Sequence, residues 1–232
     1  MSENVDNIET DDLIDEALGT CVEAAVNMAL DAYMEKLQNG ELRIESEASF
    51  QHHLALFITH YLDDYEHSIL YLEKKYKLNK GSDYVDIVIE YKNNKFEREC
   101  LIELKFKKEK SGINKAILLS FADIYDLEQL KSRYKNVKFC YFIFLTHNEI
   151  YTKKPQNEQN ERIRTKFPMW DGARIILNQI YKDDSKTAES VFKKYPKGFK
   201  FKHSYDINYQ KITTHENKNL WFFKLQIPPR KA

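Results

Sequence analysis

The stretch Ser82-Asp-Tyr-Val-Asp-Ile-Val-Ile-Glu-Tyr, followed by Asn93-Asn94 and then Glu99-Cys-Leu-Ile-Glu-Leu-Lys-Phe, constrains the fold of this chain more than any other segment. It is rich in β-branched and aromatic residues and carries turn residues at its centre. It therefore reads as a β-hairpin, with strands over about Tyr84–Tyr91 and Glu99–Phe106. Side chains alternate along a strand, so Leu101, Glu103 and Lys105 share one face while Ile102, Leu104 and Phe106 share the other. Both faces are largely apolar, as in a sheet covered on both sides. Glu103, Lys105 and, on the partner strand, Asp86 between Val85 and Ile87 interrupt that apolar run. A carboxylate carried inward on a covered strand is costly unless it is paired or binds a metal.

The flanking segments supply the rest of a sheet-and-helix fold. Leu13, Ala17, Cys21, Ala24 and Met28 recur at helical spacing between Asp12 and Leu37, and Asn39-Gly40 ends that helix. A second helix follows, with Phe50, Leu54, Phe57 and Tyr61 on one face. Counting back by three puts Glu47 on that face, whereas Glu45 falls elsewhere. The stretch around Glu73 reads as charged helix. Beyond the hairpin come a basic loop over 107–112, a helix from about Asn114 to Tyr134 and a buried strand in Lys138-Phe-Cys-Tyr-Phe-Ile-Phe-Leu-Thr. Residues 152–166 read as a polar loop excursion, Gly172–Tyr181 as a helix, Lys197–Tyr209 as a strand pair and Asn219–Ile227 as a late strand stopped by Pro228-Pro229. The expectation is an α/β fold, with a mixed central sheet flanked by helices and an N-terminal helical extension. An acidic tail and helix over 1–40 would precede a domain over 41–232, its core over about 41–147 and a C-terminal part over 148–232.

Charge and cysteine content narrow the setting. The chain has 36 basic and 36 acidic side chains and is formally neutral. Residues 1–72 nevertheless hold 16 Asp/Glu against 2 Lys/Arg, a net of −14, and the remainder carries +14. Such asymmetry points to polyanion contact by the basic part, although lysine-rich surface composition accounts for it equally well. Cys21, Cys100 and Cys140 are odd in number and widely spaced, which favours free thiols over a disulfide framework or zinc site. The N-terminus is acidic where a signal peptide is basic, and the longest apolar run is too short for a bilayer. These features lead to the expectation of a cytoplasmic protein that spans no membrane.

Two converging carboxylates beside an ammonium suit phosphodiester hydrolysis: the acids hold Mg²⁺, and the lysine orients or deprotonates a water. Asp86 in the first strand, with Glu103-Leu104-Lys105 in the second, resembles the PD-(D/E)XK nucleases. The family's core is an αβββαβ unit, and the helix, hairpin, helix and buried strand over 41–147 are similar to it. Val85 stands where the motif has proline, and the third strand is not obvious between Phe106 and the following helix, which leaves the stretch before Tyr84 as the other place for it. The resemblance implies that Asp86 and Glu103 bind Mg²⁺ (manganese can substitute), with the Leu104 carbonyl as a further ligand and Glu47 as the acid from the preceding helix. Lys105 then acts on the attacking water, and Lys107, Lys108, Lys110 and Lys115 contact phosphate. Duplex DNA is the implied substrate, in restriction or defence, with a homodimer left open. The alternatives are a nuclease acting on RNA or branched DNA, or a non-catalytic nuclease-like module that binds nucleic acid or protein. Glu-x-Lys alone is a weak signal, since it also begins at Glu73, Glu90 and Glu216. Without the resemblance, Glu103 and Lys105 read as a cross-strand ion pair on a solvated face, and Glu47 as an acid favoured by a helix dipole. The aromatic-basic tract Val191–His203 reads either as a phosphate track with base-stacking rings or as an amphipathic strand.

Overall fold

A computed structural model describes residues 5–62, 68–78, 82–92, 97–108, 112–157 and 161–228, with side chains from residue 16 onward. Helix α1 (Val5–Gln38) and helix α2 (Glu47–Leu62) are followed by three antiparallel strands: β1 (Ser68–Lys77), β2 (Ser82–Lys92) and β3 (Glu97–Lys107). Helix α3 (Ile113–Arg133) then crosses over to β4 (Val137–Thr146), which pairs parallel to β3. That parallel pairing requires a long crossover, and the 21-residue α3 provides it. The later strands β9 (Gln210–Thr213) and β10 (Asn219–Gln226) extend the sheet, giving the order β1-β2-β3-β4-β10-β9. The fold is mixed α/β, and no described helix is long and apolar enough to cross a membrane.

Each face of the sheet has its own core. On one face Val22, Val26, Tyr33, Phe50, Leu54 and Ile58 of α1 and α2 pack on Ile87, Ile102, Leu104 and Ile143. On the other, Phe121, Ile124 and Leu127 of α3 pack on Val88, Leu101, Phe142 and Phe144. The buried face of α1 is therefore not the expected one. Ala17 and Ala24 are exposed and Met28 is 51% exposed, while Val22, Val26, Ala29, Tyr33 and Leu37 are buried. An alanine-rich helix offers two stripes, and the one with valines and tyrosine removes more apolar area from water. The stretch around Glu73 is strand rather than helix: β1 supplies the third strand before Tyr84.

The C-terminal part differs more from expectation. Gly172–Tyr181 is not helical. It contains the short strands β5 (Ala173–Ile175) and β6 (Ile180–Tyr181), separated by a turn at Asn178 with φ 62. Strand β7 (Phe199–Lys200) pairs with β6, and β8 (Tyr205–Ile207) with β5, so Lys197–Tyr209 holds two strands that do not pair with each other. The polar excursion contains α4 (Arg162–Lys166), in which Ile163 and Arg164 are buried. A further helix, α5 (Lys186–Lys194), packs beside α3. Phe192, Phe199 and Phe201 are buried in a cluster around Phe121, with ring centroids 5.3–6.5 Å apart. The three phenylalanines of the 191–203 tract are thus core and not a base-stacking platform, while Tyr195 is half-buried. Buried Glu128 of α3 clamps the region, accepting hydrogen bonds from the Lys202 N–H at 2.8 Å, the His203 N–H at 3.1 Å and the Tyr205 hydroxyl at 2.6 Å. Cys100 and Cys140 are buried free thiols and Cys21 is half-buried. The hairpin turn at Asn93-Asn94 and Pro229 lie outside the described residues.

Gly40 closes α1 against the β9–β10 turn. Its φ of 74 is left-handed, and an added Cβ would lie 2.8 Å from the His215 Cβ. Gly40→Ala combines a strained backbone with a clash, and should cost about 1–3 kcal/mol of stability, read as a lower urea midpoint with an unchanged m-value.

Candidate active site

Asp86 sits where β2 leaves its neighbour. The β2–β3 ladder runs from Lys92↔Glu97 to Ile87↔Ile102 and goes no further. The β1 ladder also skips this position, passing from Leu72↔Ile87 to Lys74↔Val85 around Glu73, whose φ is 54. A local irregularity of this kind re-aims a side chain. The Asp86 carbonyl accepts a hydrogen bond from Gln51 Nε2 at 2.6 Å, and its Oδ2 accepts the Leu104 N–H at 2.7 Å. Gln51 is a buried polar residue of α2, so the irregular backbone at Asp86 is tied to the helix above it.

Glu47 enters from the start of α2. Ser46 Oγ accepts the Ser49 N–H at 3.1 Å and Ser49 Oγ accepts the Ser46 N–H at 3.1 Å, a reciprocal cap that fixes Glu47 as the first helical residue. A carboxylate is favoured there by the helix dipole. Glu47 Oε2 accepts the Phe106 N–H at 2.9 Å and Oε1 lies 3.3 Å from Lys105 Nζ. The amides of Leu104 and Phe106, two residues apart on β3, are thus both taken by carboxylates instead of by a strand.

Lys105 lies between two helices. Its ammonium is 3.3 Å from Glu47 and 3.2 Å from Asp123 Oδ2 of α3. The side chains are 13%, 39% and 24% exposed, respectively, so screening of the pairs is incomplete. Burial works against the Lys105 ammonium, but the carboxylates of Asp123, Glu47 and Glu103 outweigh it and hold its pKa above the ordinary value. Lys105 is a firm cation.

The acids respond in the opposite sense. Burial raises Asp86 above the usual carboxylate range, against the pull of the Leu104 N–H and of Lys105. Glu103 is pushed well up, first by burial and then by the charges of Asp123 and Asp86, with Lys105 opposing. Asp123 is pushed up to about 7, by burial first and by Asp86 and Asp126, although Lys105 opposes this. Four carboxyl groups face one ammonium. The cluster holds more acids than its single cation can pair. Among the described residues, no three Asp, Glu, His or Cys side chains are gathered as a metal cage.

Asp86, Glu103, Lys105 and Glu47 therefore converge, with the Leu104 peptide among them. The lysines do not form one track. Lys107 is half-buried, and its carbonyl accepts the Thr146 hydroxyl at 2.6 Å. Lys108 and Lys115 are exposed and line different clefts, and Lys110 lies outside the described residues. Sequence reasoning missed Asp123 and Gln51. Asp123 had a visible signal: it lies on the stripe Ala116, Ser120, Asp123, Leu127, Leu130, whose spacing marks the sheet-facing side of α3. Gln51 had none. No protein-family model, curated protein or solved structure matches this chain.

The raised acids set a pH dependence. The Asp123 carboxyl keeps its proton in the fold up to about pH 7 but loses it near pH 4 when unfolded, so stability falls as pH rises through that window. Asp123→Asn cannot ionise. It should melt above the wild type at about pH 8, with the difference shrinking towards about pH 5. A variant melting lower at the higher pH would mean that the Lys105 ion pair outweighs the burial of charge.

Proposed function

We propose that this chain is a Mg²⁺-dependent nuclease of the PD-(D/E)XK type, hydrolysing phosphodiester bonds in duplex DNA. The observation that carries this reading is Asp86 at the end of a strand ladder, its Oδ2 taking the Leu104 N–H between Glu103 and Lys105, with the Lys105 ammonium held by Glu47 and Asp123. The order α2, β1, β2, β3, α3, β4 supports it, being the αβββαβ succession that the resemblance implies.

The residues suit the metal. Asp86 and Glu103 are hard oxygen donors in a cluster with excess negative charge, and the Leu104 carbonyl lies on the same strand. Mg²⁺ is held by one or two carboxylates plus waters rather than by an all-protein cage. When bound, it supplies charge neutralisation at the phosphate and a more acidic water. Lys105, held as a cation by Glu47 and Asp123, orients the attacking water and offsets charge developing on the phosphate. Glu47 and Asp123 fix where that ammonium sits.

Asp86→Ala, Glu103→Ala and Lys105→Ala should each lower Mg²⁺-dependent cleavage of duplex DNA by about a hundredfold or more, as expected for loss of a group acting in the transition state. Wild-type rates in a folded Asp86 or Glu103 variant would sink the assignment. If the wild type cleaves no nucleic acid, the fold is instead a binding module. Mg²⁺ should also raise the melting temperature of the wild type but not of Glu103→Gln, by linkage to binding. Above about pH 7, where Asp123 is ionised, Glu47→Gln should slow cleavage less than Lys105→Ala, because Asp123 still holds the ammonium. The double variant Glu47→Gln/Asp123→Asn should approach Lys105→Ala, a non-additive outcome readable in single-turnover rates.

A further inference from the structure

The carboxyl ends of the parallel neighbours β3 and β4 open into a cleft of about 510 Å³ that the cluster above does not use. Lys108 directly follows β3 and His147 directly follows β4, and both line it. The α1–α2 linker forms one wall with Arg43 and Ile44, and the β9–β10 turn forms the other with Glu216 and Lys218. Clefts beyond the carboxyl ends of parallel strands are where α/β sheets receive ligands, and this volume is in the range of small-molecule sites.

The chemistry of the walls is selective. Glu216 lies 3.2 Å from Arg43 and 2.5 Å from Lys218, so one acid is shared by two cations. Exposed Lys108 adds a third cation, and Glu45 is the second acid of the lining, so positive charge is in excess before the histidines are counted. His147 Nδ1 is 3.1 Å from the Asn219 carbonyl, which can only accept. Nδ1 therefore carries the proton, and Nε2 is left as an acceptor. Burial, aided by Lys218 and Lys108, lowers the His147 pKa against the pull of the Asn219 carbonyl and keeps the ring neutral at pH 7. Phe106 meets the ring edge-on at 5.9 Å, and Ile44 and Trp221 give the cleft an apolar side.

We propose that this cleft receives a phosphate-bearing nucleotide unit of the substrate strand. The phosphate lies against Lys108 and Lys218, the sugar and base lie against Ile44 and Trp221, and His147 Nε2 accepts an N–H or O–H of the nucleotide. Naming a nucleic-acid strand rests on the nuclease reading. The linker that walls the cleft runs straight into Glu47, so the bound unit neighbours the phosphate being cut.

The test is a titration of isotope-labelled protein, followed by NMR without divalent ion. The ligands are the four deoxynucleoside 5′-monophosphates, a deoxynucleoside and inorganic phosphate. Saturable binding of at least one monophosphate is expected, with shifts confined to the neighbourhoods of Lys108, His147 and residues 214–219. Lys108→Ala/Lys218→Ala should weaken it about tenfold or more, the loss expected when a charge-assisted hydrogen bond is removed. Absence of saturable binding, binding unchanged in the double variant, or shifts centred on the Lys115 cleft would overturn the proposal. Inorganic phosphate binding as tightly as the nucleotides would overturn it too, in favour of a bare anion site. Cleavage assays separate the two readings. A chain that binds nucleotide but cuts nothing keeps the cleft and loses the nuclease assignment, whereas one that cuts but binds no nucleotide loses only the cleft.

Discussion

Two backbone amides on one strand hold the centre of this structure. Beyond Ile102, β3 pairs with no strand on its β2 side among the described residues, and the N–H groups of Leu104 and Phe106 would need other partners. Unpaired buried amides are costly, so something must take them. Asp86 takes the first and Glu47 the second. The hydrogen bonds that would have continued a ladder instead bring two carboxylates to the same edge, from a strand and from a helix. The cap at Ser46 and Ser49 and the Gln51 bond to the Asp86 carbonyl both serve this arrangement, since each fixes one of the acids.

The charge balance follows from where the helices lie. The α2 and α3 helices cover opposite faces of the sheet, yet an acid from each reaches the same ammonium, Lys105. That is possible only at the open end of the strand pair. The ammonium is thereby held as a cation by three carboxylates, whereas Asp86, Glu103 and Asp123 are raised first by burial and then by neighbouring acids, against the pull of Lys105. A site in this state favours a bound cation or proton, and the stability of the fold is tied to whichever is present.

The C-terminal part supports the site indirectly. Its aromatic rings pack around Phe121, two residues before Asp123, and Glu128 locks the 202–205 segment to the same helix. The helix that carries Asp123 is thus gripped on its outer side, which limits how far the acid can move from Lys105. The β9–β10 turn meanwhile approaches the end of α1, where only glycine fits at position 40.

Sequence alone determined the features that depend on short-range periodicity. A strand alternates every two residues, so the shared face of Glu103 and Lys105 and the exceptional place of Asp86 could be read directly, as could the hairpin, the crossover helix and the buried strand β4. The Glu47 phase was legible for the same reason, because three residues is nearly one helical turn. Tertiary structure decided whatever depended on competing surfaces. Which stripe of α1 is buried depended on the apolar area the sheet offers, and the alanine-rich pattern allowed both. Gly172–Tyr181 has a helix-compatible pattern, but its apolar residues find partners on β7 and β8 and form strands. Asp123 became part of the cluster only because α3 crosses over the open end of β3. A carboxylate on a helix stripe shows that something must compensate it, but only the packed fold supplies the ammonium that does.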